Sequence, residues 1–144
     1  MRREVAQYCN ENLHLLNLKQ WVIKVSEDLP PDDAWADVEV SENLWEATIR
    51  ISNDFFKETP ESQRRILSHE LMHVHDAGLE RFINSLEGIL GSQTFDLLNK
   101  AWDTETERVA EALSHVVCSL LPVPDFTLAK VLKKKEAGAR RPRP

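Results

Sequence analysis

Apolar residues recur at roughly helical spacing near the start of the chain, at Val5, Tyr8, Cys9, Leu13, Leu15, Leu16 and Leu18, and predict an N-terminal helix over 2–18. Trp21-Val22-Ile23-Lys24-Val25 then reads as a short strand, ended by acidic residues and by Pro30 and Pro31. Two alternating segments follow. Ala34, Ala36, Val38 and Val40 share one face, and Trp45, Ala47, Ile49 and Ile51 share one face beyond a Ser41-Glu42-Asn43 turn, which predicts an antiparallel hairpin. Glu46, Thr48 and Arg50 fall on the opposite face of the second strand, as a sheet with one solvated side requires.

Thr59-Pro60-Glu61 announces a helix: a hydroxyl cap, a proline at the first helical position and an acid in the electropositive first turn. Ile66, Leu67, Leu71 and Val74 continue it, and Gly78 is the expected left-handed stop. A second short helix is expected over 79–90, broken by Gly88 and Gly91, then one long or two shorter helices over 93–121, ending before Pro122. The class this predicts is α+β: an N-terminal helix, a small antiparallel or mixed three-stranded sheet, and two C-terminal helical segments.

A chain of 144 residues that is 42% hydrophobic supports one core, so a single domain over 1–128 is expected, followed by a basic and disordered tail over 129–144. The net charge of −6 argues against general nucleic-acid binding and is unevenly spread. Asp and Glu crowd 27–42, whereas Lys130, Lys133, Lys134, Lys135, Arg140, Arg141 and Arg143 crowd the end, the only part suited to weak contact with phosphate. Cys9 and Cys118 sit in apolar-periodic segments and read as free thiols, not as a disulfide framework. Neither an apolar leader nor a bilayer-length apolar run is present, so the expected setting is the cytoplasm, away from membranes.

The chemistry concentrates in His69-Glu70-Leu71-Met72-His73. Two histidines four apart on a helix lie one above the other and can direct imidazole nitrogens at one metal ion. Glu70, next to the first of them, is placed to act as general base on a water activated by that metal. One histidine on an apolar face is an ordinary core residue, but two flanking a carboxylate would bury three polar groups without an evident partner, a cost that bound zinc removes.

A hydrolytic zinc keeps three protein ligands and one open position, so a third ligand is needed. Asp76 and Leu79 stand where the metzincin extension has Gly and His, and His75 points to another side of the helix. Glu107, Glu111 and His115 form one stripe further along, and two carboxylates four apart repel unless a cation or a protonated group lies near. Glu107 is assigned as third ligand and Glu111 as the acceptor that orients a ligand imidazole. Thr104 and Glu107 also fit a capping box that would start a helix, in which case Glu111 or His115 becomes the third ligand. His75, Asp76 and His115 are further candidates to bond ligands or steady an oxyanion.

This pattern resembles the gluzincin metallopeptidases, and the order of elements resembles the compact minigluzincin domains, including ImmA/IrrE-like peptidases and stand-alone phage and bacterial proteins. The resemblance implies a zinc peptidase with ligands His69, His73 and Glu107, the general base Glu70, and a protein or peptide substrate. It also implies that an outer strand beside the motif helix receives substrate as an added strand, for which Trp45 to Ser52 is the candidate. SprT-like proteins, which complete zinc with a third histidine, would instead point to His115. The alternative is an inactive peptidase-like binding or structural module with a zinc site.

Overall fold

Val5 and Cys9, a helical turn apart, are fully buried and seat the first helix α1 (Arg2–Asn12) on the core. In this computed structural model, which describes residues 1–31 and 33–126, the helix tightens into a 3₁₀ turn over Leu13–Leu16. Asn17, in the left-handed region at φ 57°, then reverses the chain. The expected helix over 2–18 is therefore shorter. The tail and the domain boundary at 128 lie outside the described residues.

Strands β1 (Val22–Val25), β2 (Ala36–Ser41) and β3 (Glu46–Ile51) form a mixed sheet in the order β1-β3-β2. The expected hairpin is present: β2 and β3 pair antiparallel, with Val38 opposite Ile49. Its turn is a 3₁₀ segment, Glu42–Leu44, closed by Trp45 at φ 53°. Trp45 accordingly leaves the strand and the face of Ala47; it is 52% exposed and edge-packed on Trp21.

β1 pairs parallel with β3, so β3 is central and both its edges are taken. That overturns the assignment of Trp45 to Ser52 as the strand open to substrate. Asn10 covers the outer edge of β1 by bonding Ile23 in both directions, 2.7 Å to its carbonyl and 2.9 Å from its amide. Among the described residues the edge left unpaired is that of β2, which packs beside the motif helix.

Ile23, Ala47, Ile49 and Ile51 turn one face of the sheet into the core, where Phe55 and Leu67 are wholly buried. Each such side chain contributes roughly 1.5–3 kcal/mol through removal from water. The motif helix α2 runs from Pro60 to Ser85, with the Thr59 hydroxyl accepting from the Ser62 amide at 3.2 Å. It does not stop at Gly78. That residue lacks a positive φ, and its helical cost of roughly 1 kcal/mol is outweighed by packing of α2 against the later helix. The separate helix expected over 79–90 is thus the end of α2 plus one turn, α3 (Glu87–Leu90). Gly91, at φ 73° and ψ 155°, supplies the backbone turn that joins α3 to α4.

The last segment is one long helix, α4 (Ser92–Val117), continued as a 3₁₀ turn to Leu120. Ala110 and Ser114 are its buried residues, and their small size lets α4 lie close to α2. Three ties fix the chain beyond it: Arg64 donates to the Leu121 carbonyl at 3.2 Å, Tyr8 to that of Pro122 at 2.6 Å, and Phe126 packs edge-on against Tyr8. These ties set the level at which α4 passes the motif.

Candidate metal centre

Leu67, Leu71 and Val74 bury one face of α2, which leaves His69 and His73 on its border at about one-fifth exposure. The two rings lie a turn apart, edge to face at 72° with centroids 4.9 Å apart, and their Nε2 atoms face each other at 3.1 Å. Burial above all, and the neighbouring His69, hold His73 below the ordinary histidine range against the pull of Glu107 and Asp76. The neutral imidazole that results is the form that binds metal.

Glu107 arrives from α4. One carboxylate oxygen lies 3.3 Å from Nε2 of His69 and the other 3.3 Å from Nε2 of His73. In the metal-free protein such contacts at a 64% exposed carboxylate are screened and weak, so they give little reason of their own for the convergence. A tetrahedral ion with bonds near 2.0–2.1 Å places its ligand atoms about 3.3 Å apart, close to the 3.1 Å between the two imidazole nitrogens and the 3.3 Å from each of them to one of the two Glu107 oxygens. Two imidazoles and a carboxylate are also a donor set that zinc accepts. Among the described residues His69, His73 and Glu107 are the group able to hold a metal ion, and three donors leave a fourth position open.

Glu111 sits one turn beyond Glu107, with Oε2 3.3 Å from Nδ1 of His69, the ring nitrogen turned away from the cluster. A proton on Nδ1 directed at Glu111 leaves the Nε2 lone pair free for metal. His115 contacts Glu111 at 3.0 Å and stays outside the cluster, and His75 reaches the Leu16 carbonyl at 3.0 Å on another side of α2. The capping-box alternative at Thr104 is corrected: α4 runs through it, and the Thr104 hydroxyl donates to the Lys100 carbonyl at 2.8 Å inside the helix.

Glu70 lies beside the histidines, only 6% exposed, and among the described residues nothing donates to its carboxylate. Burial pushes its carboxyl up to about 8 from an ordinary 4.5, with repulsion from Asp37 and then Glu107 adding to the effect. It opens onto a cleft of about 550 Å³ between β2 and α4 that the cluster also lines. A smaller pocket of about 220 Å³, with Trp35, Ile66 and Arg65 in its wall, lies on the other side of His69 and Glu70.

Sequence reasoning missed Asp37 and its role in the cleft wall. It stands directly opposite Arg50 in the β2–β3 register and pairs with it, Arg50 Nε lying 2.9 Å from one carboxylate oxygen. Opposite charges at paired hairpin positions were the available signal, readable only once the register is known. Asp76 is half-buried in the same cleft, and burial raises its carboxyl above the ordinary value.

Compared with protein-family models, curated proteins and solved structures, the chain finds no match. No described helix is long and apolar enough to cross a membrane.

Proposed function

We propose that the chain is a zinc-dependent peptidase of minigluzincin type, acting in the cytoplasm on protein or peptide substrates. The observation that carries the reading is the convergence of His69, His73 and Glu107 within reach of one ion, next to a buried carboxylate without a partner among the described residues. A zinc ion held there supplies Lewis acidity toward water and toward a carbonyl oxygen. Glu70 takes the proton of the attacking water and passes it to the leaving amine. Its low solvent access keeps bulk water from competing for the proton during both transfers. Glu111 holds the His69 ring in the tautomer that presents Nε2.

The free edge of β2 gives an extended peptide a row of backbone partners along the cleft, so substrate binds as a fourth strand. An inactive zinc-bearing module would be expected to close the coordination with a fourth protein ligand. Three convergent donors at the mouth of a cleft favour the open, catalytic kind.

Zinc content and cleavage of unfolded protein or peptide, measured side by side, test the reading. Glu70→Ala is expected to keep zinc and lose turnover, and Glu107→Ala to lose zinc. A zinc-loaded unaltered chain that cleaves nothing, or a Glu70→Ala chain that still cleaves, overturns it.

A further inference from the structure

The cleft beside Glu70 is walled by carboxylates from three elements: Glu39 on β2, Asp76 on α2 and Asp103 on α4. Among the described residues the only lysine or arginine in the lining is Arg50, and Asp37 neutralises it through a bidentate pair. A divalent ion would offset Glu70 and Glu107, so Glu39, Asp76 and Asp103 would still leave the wall negative. A cluster of acids alone would say little, since exposed acids are common. Here a second observation marks the cleft as a place where something polar binds: the Glu70 carboxylate, 6% exposed and without a partner among the described residues, opens into it.

The other side of the centre differs. The smaller pocket is bordered by Trp35 and Ile66, and its one carboxylate besides Glu70 is Glu111. That carboxylate is already engaged by Arg65 at 3.1 Å, His115 at 3.0 Å and His69 at 3.3 Å. The field across the centre is therefore one-sided: negative and open toward Glu39, Asp76 and Asp103, compensated and more apolar toward Trp35.

We infer that the cleft selects peptides with a lysine or arginine side chain on one side of the scissile bond and not on the other. The inference rests on the peptidase reading for the words "scissile bond", but the charge selection is a property of binding. A cation entering a groove lined by carboxylates gains from all of them within about a Debye length, roughly 8 Å at physiological salt. The preference over a neutral peptide is expected to be about tenfold at low salt and to shrink as salt rises.

The test uses the full-length, zinc-loaded protein and three fluorescent peptides of equal length, bearing lysine, glutamine or glutamate at the same positions. Anisotropy gives their affinities at low and high salt, and mass spectrometry locates any cleavage relative to the lysines. The expected order is lysine over glutamine over glutamate, with the gap between lysine and glutamine falling to about twofold in Glu39→Gln/Asp103→Asn. In that variant, unchanged zinc content and circular dichroism exclude a folding cause. Equal affinities, a preference that survives in the double variant, or lysines tolerated equally on both sides of the cut overturn the inference. Charge-selective binding without cleavage sinks the peptidase reading and leaves the selection standing; cleavage indifferent to charge does the reverse.

Discussion

Glu111 holds a carboxylate oxygen 3.3 Å from Nδ1 of His69, while the other ring nitrogen, Nε2, turns toward Glu107. The relation gives the two acids of one helical stripe different tasks, although they are the same residue type one turn apart. In the proposed centre Glu107 would offer an oxygen to the ion, and Glu111 would accept the Nδ1 proton and so present Nε2.

Glu111→Gln should therefore weaken zinc binding without abolishing it, by about ten- to a hundredfold, while Glu107→Gln should cost far more. Chelator competition measures both. Because Glu111 is half exposed and its contacts with Arg65 and His115 are at the surface, global stability should change little. Unaltered zinc affinity in Glu111→Gln would remove its orienting role. Complete loss would make it a ligand.

Glu70 makes the metal-free protein sensitive to pH in a direction that can be worked out. Its folded pKa is raised to about 8 from 4.5, so between these values the native chain keeps a proton that the unfolded chain has released. The associated stability is fully present below about 4.5 and is lost as pH rises to about 8, a difference on the order of a few kcal/mol. His73, held below the ordinary range, acts in the opposite sense and loses stability as pH falls, but it is common to both proteins compared. In chelator-treated samples, urea midpoints of the unaltered chain should fall across this window relative to those of Glu70→Gln. Parallel profiles would show that Glu70 ionises normally in the fold.

What the residue pattern conveyed was mostly local. The Thr59-Pro60 cap and the alternation of Ala47, Ile49 and Ile51 are set by neighbours a few positions apart, and both appear in the fold. Strand order was not legible, because the parallel pairing of Val22 with Glu46 joins segments more than twenty residues apart and depends on α1 covering the outer edge of β1. The resemblance therefore points to residues 45–52 for the open edge, whereas among the described residues it lies on β2. The choice among Glu107, Glu111 and His115 was open for a related reason. All three lie on one stripe of α4, and which of them meets the histidines depends on the height at which Ala110 and Ser114 dock on α2. The Tyr8 and Arg64 bonds to the segment after α4 help fix that height, and no periodicity announces them.

Gly78 offers the cleanest separation of the two readings of α2. As a helix stop it would sit at positive φ, where alanine is strained. Here it lies inside a 26-residue helix, without positive φ and with nothing within 4 Å of an added Cβ. Gly78→Ala should then stabilise the chain by roughly 0.5–1 kcal/mol, chiefly by narrowing the unfolded ensemble. That corresponds to a rise in melting temperature of about 2–4 °C. Gly91→Ala should do the opposite, because φ 73° with ψ 155° is nearly closed to residues with a Cβ, at a cost on the order of 1–3 kcal/mol. Thermal unfolding of both variants decides the matter. A destabilised Gly78→Ala chain would mean that α2 ends at that glycine, and the wall that α2 and α4 build around the cleft would have to be redrawn.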